Sequence, residues 1–354
     1  MTARAHKGRG AISAPYGRFE QRPVELDAEV AHEQAQQPPA TVIRSMPAGR
    51  IISTNNSPDV PFDQSINPYQ GCEHGCVYCY ARPSHSYLDL SPGLDFETRI
   101  FYKPNAVALL LDEWGKKNYE CKPITIGANT DPYQPAEKTL EITRQLLEHF
   151  LEYRHPVNII TKSNLITRDL DLLAELAELG LCSVAISVPT LCSDLKRIME
   201  PRIPSADARL KAMALLAEYG VPTSALIAPV IPAINDDEIE SILEAVAMAG
   251  ADQARYIFLR LPHELLDIFT EWLVTHFPDR KDRVLGLVRQ ASGGRNYEAR
   301  FGVRQTGRGA YAGMLASRFR TASRKLGLEA DSYQHTLDCT QFMKPGVQQL
   351  GLDF

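Results

Sequence analysis

Three of the seven cysteines fall within eight residues, as Cys72-x3-Cys76-x2-Cys79 in the stretch Asn67-Pro68-Tyr69-Gln70-Gly71-Cys72-Glu73-His74-Gly75-Cys76-Val77-Tyr78-Cys79-Tyr80. Thiolates packed that closely on a short loop can converge on one soft metal centre. Structural zinc wants four ligands, usually as two separated pairs. His74 is the obvious fourth ligand, but three thiolates alone already serve a cubane with one open iron. We read the loop as the seat of a [4Fe-4S] cluster. An odd cysteine count and no sign of secretion argue against a disulfide framework.

With aromatic Tyr78 just before the last cysteine, this loop resembles the signature of the radical S-adenosylmethionine (SAM) superfamily. The resemblance implies that Cys72, Cys76 and Cys79 hold the cluster and that the open iron is chelated by the amino and carboxylate groups of SAM. One electron then cleaves the sulfonium to a 5'-deoxyadenosyl radical. It also implies an external electron donor of flavodoxin or ferredoxin type, and Tyr78 packed near the adenine.

At 354 residues and 44% hydrophobic content the chain can bury a sizeable core. No run approaches the roughly 18 apolar residues of a membrane span, and Arg4, Lys7 and Arg9 precede no apolar signal region. A soluble, cytoplasmic protein is expected. The net charge of −5 hides an asymmetry: residues 279–325 carry twelve Lys/Arg against Asp279, Asp282 and Glu298. Such a basic segment suggests a polyanion-facing surface.

Residues 1–57, rich in Ala, Gln, Pro and Arg, read as an extended, partly disordered lead-in, with residues 58–278 as the core and 279–354 as a basic, helical C-terminal extension. Arg44 and Arg50 read as solvated linker charges. In the core, short apolar runs alternate with amphipathic segments. Strands are expected at 100–102, 124–127, 157–162, 183–188, 224–228 and 255–259, with helices reaching 114 and over 137–153, 167–179, 205–219, 236–249 and 263–275. Thr167 is the expected cap of its helix; Gly180, Gly220 and Gly250 are expected stops. Near-continuous apolar strands, each followed by a helix, imply parallel strands buried on both faces. Six units are too few for a closed eight-fold barrel and match the partial (β/α)6, TIM-like barrel of the radical SAM core.

In barrels the ligands lie at the carboxyl ends of strands. The resemblance implies that the loop after the second strand, Gly127-Ala128-Asn129-Thr130-Asp131-Pro132, holds the SAM amino group, with Thr130 and Asp131 as the candidates. Lys162, beside Ser163, is a candidate for its carboxylate. Ser187 is assigned to the ribose, Arg202 in Glu200-Pro201-Arg202 to a second carboxylate clamp, and Arg260 to the pocket. Within the superfamily, Cys79-Tyr80, Thr130-Asp131-Pro132, Lys162-Ser163 and Ser187 most resemble the spore photoproduct lyase branch. There the radical takes a hydrogen from a thymine dimer in DNA, aided by tyrosines that Tyr78 and Tyr80 match and by a hydrogen-donating cysteine. Ala128 stands where that cysteine would be. Cys121, Cys182 and Cys192 read as incidental thiols; Cys339 is a candidate donor if the C-terminal segment covers the barrel mouth.

In residues 279–325 Arg295, Arg300, Arg304, Arg308, Arg318, Arg320 and Arg324 are interleaved with Tyr297, Phe301, Tyr311 and Phe319, a pattern suited to nucleic acid. The final Gln349-Leu350-Gly351-Leu352-Asp353-Phe354 resembles a sliding-clamp-binding peptide. The reading is a radical SAM enzyme, lyase-like, acting on nucleic acid and a DNA lesion in particular. The alternatives are a radical SAM enzyme for a protein or small molecule, and a non-catalytic iron-sulfur protein that binds nucleic acid or senses redox state.

Overall fold

The computed structural model describes residues 6–19, 40–328 and 336–346. The tail hexapeptide and its expected clamp contact lie outside the described residues. The strands are β1 (Val42–Ser45), β2 (Ile52–Thr54), β3 (Gln64–Ile66), β4 (Tyr69–Gln70), β5 (Arg99–Tyr102), β6 (Ile124–Ile126), β7 (Val157–Thr161), β8 (Cys182–Ser187), β9 (Thr223–Val230) and β10 (Gln253–Phe258). The larger sheet runs β10-β9-β8-β7-β6-β3-β2, and β1-β5-β4 form a small second sheet. Pairing from β3 through β10 is parallel; β2 adds an antiparallel edge. The result is an open, six-stranded parallel sheet of the partial-barrel kind.

One of the six strands differs from expectation. Residues 100–102 pair with β1 and β4 outside the barrel sheet, and the first parallel strand is β3, ahead of the cysteine loop. That strand holds one apolar residue, Ile66, so it shows no apolar run. The cysteine loop thus follows the first barrel strand, with the carboxyl ends of the remaining strands around it.

The sheet is apolar on its helix-packed face, and its other face carries buried Ser65, Thr125, Asn158 and Ser183, with Ser183 Oγ donating to Asn158 Oδ1 at 2.6 Å. Val157, Ile159, Val184 and Ile186 are essentially inaccessible and share one core with Leu146, Leu147 and Phe150 of helix Ile142–Glu152 and Leu173 and Leu176 of helix Leu170–Glu178. Each such side chain contributes about 1.5–3 kcal/mol by leaving water. Helices end ahead of Gly180, Gly220 and Gly250, all at positive φ, as expected. Two boundaries differ. Glu141, at φ 50°, splits the 137–153 helix. Ser163, not Thr167, caps the turn leading into the next helix, its Oγ accepting from Leu165 N at 3.2 Å.

The helix Gly309–Leu326 lies on Ile239–Met248, tied by Arg318 to Glu240 at 2.5 Å and by Tyr311 Oη donating to Asp236 at 2.5 Å. Residues 336–346 cross the amino-end side of the sheet. There Asp338 N donates to Gly180 O (3.1 Å), Met343 N donates to Tyr153 O (2.9 Å), and Phe342 packs edge-on to Trp114 and His155. Among the described residues no helix is long and apolar enough to cross a membrane.

Candidate active site

The cysteine loop is pinned from three sides. Cys72 N donates to Phe96 O (2.8 Å), Val77 N to Met199 O (3.1 Å), and Arg82 Nε to Cys76 O (2.9 Å). Arg82 is fully buried and pairs with equally buried Glu97 at 2.5 Å. Glu97 in turn accepts from Gly10 N (3.0 Å) and Ala11 N (2.7 Å), which brings the N-terminal segment down onto the loop. A Cβ on Gly10 would stand 1.7 Å from Gly75 O, so only glycine allows this approach.

All seven cysteines are unbridged, and Cys72, Cys76 and Cys79 face one cavity of about 330 Å³ together with Tyr78, Tyr80, Asp131, Lys162, Ser187 and Arg260. Three thiols lining one cavity, with no fourth cysteine beside them among the described residues, are a donor set that suits an iron-sulfur cluster with one iron left open. Burial, reinforced by the carboxylate of Glu200, pushes the Cys76 thiol up, and Lys162 opposes the shift.

At the end of β6 the chain turns at Gly127, φ 88°, where a Cβ would stand 2.3 Å from Ile160 O. The turn delivers Asp131 into a ring of donors: Tyr133 N (2.9 Å), Thr161 Oγ1 (2.7 Å) and Lys162 N (2.8 Å). His74 of the cysteine loop completes it, with Nδ1 3.3 Å from Asp131 Oδ2, close enough for an ion pair but not aligned as a hydrogen bond. Burial alone would lower the His74 pKa; Asp131 and Cys72 outweigh it and raise the imidazolium to about 10. Burial likewise opposes ionisation of Asp131, and His74 with the neighbouring donors overcomes it, leaving the carboxyl lowered. Thr130 is buried, donating through Oγ1 to Tyr69 O at 2.7 Å, and does not line the cavity.

Behind Tyr78 lies a fully buried network that the sequence reading did not assemble. Tyr78 Oη donates to Glu200, Glu200 pairs with Arg209 at 2.8 Å, and Arg209 Nη1 donates to Ser187 O at 2.9 Å. Lys162 Nζ lies 5.9 Å from the Tyr78 ring centre. The loop, the end of β7 and the end of β8 are thereby joined around one aromatic ring.

The mouth is built from the C-terminal segment. Phe258 N donates to Gln305 O at 2.7 Å, continuing the edge of β10, and Arg304 reaches across to Asp59. The guanidinium of Arg260 lies 5.6 Å from the Tyr80 ring centre and 5.9 Å from that of Tyr297, whose hydroxyl it meets at 3.1 Å. Tyr80 donates its hydroxyl to Ala128 O. Much of the basic stretch is internally neutralised: Arg300 and Arg308 face Glu298 at 2.8 and 3.9 Å, Arg304 faces Asp59, and Arg318 faces Glu240.

Besides Thr130, two expected site residues sit elsewhere. Arg202 faces a second cavity, 3.3 Å from Glu73, because the turn after Glu200 points it outward while Glu200 points in. Cys339 is on the amino-end side near Cys121, since residues 336–346 close that end of the sheet and not the mouth. No cysteine beyond the loop thiols lines the main cavity among the described residues. Asn67, whose Oδ1 accepts from Asn129 N at 2.8 Å, and Arg209 were not expected; neither follows an apolar run closely enough to attract notice.

The radical SAM superfamily model matches residues 66–246, from the first parallel strand through the helix after β9. The chain belongs to the radical SAM superfamily. An uncharacterized protein of Mycobacterium tuberculosis (strain H37Rv) is 34% identical over 237 residues, 66% of this chain and 70% of that one. One of Methanocaldococcus jannaschii is 32% identical over 174 residues, 49% and 62%. A solved spore photoproduct lyase complexed with dinucleoside spore photoproduct superposes with TM-score 0.59 at 16% identity, covering 88% of this chain and 86% of that one. A double mutant of that lyase with bound AdoMet and dinucleoside spore photoproduct gives 0.58 at 14%, with the same coverage. The radical SAM chain shares that fold. The cofactors of a radical SAM enzyme are a [4Fe-4S] cluster and SAM, and the three loop thiols are a donor set that fits the cluster.

Proposed function

We propose that this radical SAM enzyme acts on an unstacked base of nucleic acid, with a DNA lesion as the preferred substrate. The observation that carries this reading is the mouth, where Arg260 lies between the rings of Tyr80 and Tyr297. Aromatic and guanidinium planes are what proteins use to stack bases taken out of a helix. Exposed Phe301, 4.6 Å from the Arg304 guanidinium, extends the same surface.

Cys72, Cys76 and Cys79 would hold the cluster. Lys162 and Ser187 would contact SAM from the ends of β7 and β8, with Tyr78 fixed beneath by Glu200. Bound together, the cluster and SAM would supply a 5'-deoxyadenosyl radical able to abstract hydrogen. Asp131 serves as a positioning residue, since its acceptor sites are filled by the protein's own donors. Thr130 ties the loop after β6 to Tyr69. The mouth admits a substrate group past Tyr80, and Arg304 with Asp59 narrows the approach beside Phe62.

A second reading, a small molecule or protein as substrate, is favoured by the internal pairing of Arg300, Arg304, Arg308 and Arg318, which leaves the surface less basic than its composition. The test is 5'-deoxyadenosine formation by reconstituted, dithionite-reduced protein with SAM, with no DNA, intact DNA or ultraviolet-irradiated DNA. The expected result is stimulation by irradiated DNA that Arg260→Ala abolishes. Equal rates in all three would overturn the nucleic-acid reading and leave the radical SAM assignment standing.

A further inference from the structure

Two cysteines that take no part in the thiol cavity meet on the opposite, amino-end side of the sheet. Cys121 stands ahead of β6 and Cys339 in the segment 336–346, both half-buried and unbridged, with their thiols in side-chain contact. Local contacts fix where Cys339 falls. Asp338 N donates to Gly180 O at 3.1 Å, Gln341 Nε2 to Leu179 O at 2.8 Å, Met343 N to Tyr153 O at 2.9 Å and Lys344 Nζ to Lys117 O at 2.9 Å. The Phe342 ring centre lies 5.6 Å from that of Tyr119, close in sequence to Cys121. Asp338 Oδ1 accepts from Thr340 N at 2.7 Å, which turns the chain at Cys339. The thiols apart, single hydrogen bonds and the packing of Leu337 and Phe342 hold this segment in place.

We propose that Cys121 and Cys339 are a redox pair, which a low-molecular-mass disulfide such as oxidised glutathione closes into a bond that straps residues 336–346 across the amino ends of the strands. The inference rests neither on the superfamily assignment nor on the substrate. Burial pushes the Cys121 thiol up to about 12, with Cys339 and Asp338 adding to it; burial raises Cys339 too, but the Cys121 S–H relieves part of that shift. Cys339 is therefore the attacking thiol and Cys121 the resolving one. Cys339 Sγ loses its proton and attacks one sulfur of the reagent, whose S–S bond breaks to release the first glutathione thiolate. Cys121 Sγ then attacks Cys339 Sγ in the mixed disulfide and displaces the second. Two protein thiols lose two electrons and two protons, and the reagent takes up both as two thiols. Cys121 precedes β6, whose carboxyl end runs into Gly127 and Asp131, so the strap ties the C-terminal segment to a strand that builds the thiol cavity.

The experiment treats the anaerobically reconstituted full chain with excess oxidised glutathione and compares wild type with Cys339→Ser and Cys121→Ser. Mass spectrometry of unreduced peptides reads the bond, and hydrogen exchange at the Asp338 and Met343 amides reads the strap. Expected is a cross-linked peptide pair holding Cys121 and Cys339, while exposed Cys192 carries a glutathione adduct. Exchange at the two amides should slow about tenfold in oxidised wild type, return on reduction with dithiothreitol, and stay unchanged by oxidation in either serine variant. Free thiols at both positions, or a separate glutathione adduct on each, would overturn the pair. So would cross-links from either residue to another cysteine, which the folded chain does not place beside them. A Cys121–Cys339 bond with no slowing of exchange would overturn the strap.

Discussion

Asp131 Oδ2 stands 3.3 Å from His74 Nδ1, linking the loop after β6 to the centre of the cysteine loop. The same carboxylate takes Thr161 Oγ1 and Lys162 N, so one side chain registers three segments that converge on the cavity. Breaking a buried pair by removing one partner typically costs about 3–5 kcal/mol, whereas deleting one neutral hydrogen bond costs about 1 kcal/mol. Asp131→Asn should therefore lower stability well beyond Thr161→Ala, with both measured by urea unfolding. Equal, small effects would show that the Asp131 contact with His74 contributes nothing.

Gly10 makes a prediction about the loop's outer face. A Cβ there would meet the Gly75 carbonyl at 1.7 Å, a backbone clash that neither segment can relieve by changing a rotamer. Gly10→Ala should lift residues 9–11 from Glu97 and leave the Arg82 pair short of its supporting donors. The reconstituted variant is expected to lose its visible iron-sulfur absorbance in air several-fold faster than wild type, at similar secondary structure by circular dichroism. An unchanged bleaching rate would make the N-terminal contact incidental to the cluster.

These two contacts mark the boundary of what could be read from the chain. The thiol triad was legible because its chemistry is carried by spacing alone. The strands after it were legible because their buried positions write near-continuous apolar runs such as Val157-Asn158-Ile159-Ile160, broken only by a buried asparagine. β3 was not, since three residues with one isoleucine become a strand only by pairing with β2 and β6. The rule that ligands follow strands drew attention to Lys162, Ser187 and Arg260, all of which line the cavity. It states a position and not a direction, so it could not show that the Thr130 hydroxyl bonds Tyr69 or that Arg202 turns away. Gly10 over Gly75 and Cys339 beneath the sheet depend on contacts between distant segments, which no local pattern records.

The Tyr78 network predicts a separation between holding the cluster and using SAM. Tyr78 Oη donates to Glu200, whose other oxygen is held by Arg209. Tyr78→Phe removes one hydrogen bond, about 1 kcal/mol or several-fold in affinity, without touching a thiol. The variant should keep wild-type iron content and a reduced EPR signal while its KM for SAM rises several-fold. Glu200→Gln, which retains an acceptor for Tyr78, should be milder for SAM than Glu200→Ala, and the latter should unfold more readily because it strands buried Arg209. A fall in iron content that parallels the loss of SAM use would assign the network to cluster retention instead.

Two buried histidines make stability depend on pH. His155 stacks on Trp114 with ring centres 4.6 Å apart, its Nδ1 3.0 Å from Pro156 O and its Nε2 2.8 Å from Tyr119 Oη. Those partners suit the neutral ring, with Nδ1 donating to the carbonyl and Nε2 accepting from the phenol. Burial lowers His155 to about 3 and His85, beneath Phe96, to about 4. Unfolded histidine titrates near 6.5, so below that pH the unfolded chain takes up protons that the folded chain refuses, and stability falls until the folded pKa is reached. The two together should remove about 3 kcal/mol between pH 6.5 and 5, a window above most carboxylate titrations. Urea unfolding across that window should show the slope, and His155→Gln, though less stable at pH 7.5, should show about half of it. A variant with the wild-type slope would mean that the His155 ring is protonated in the folded protein.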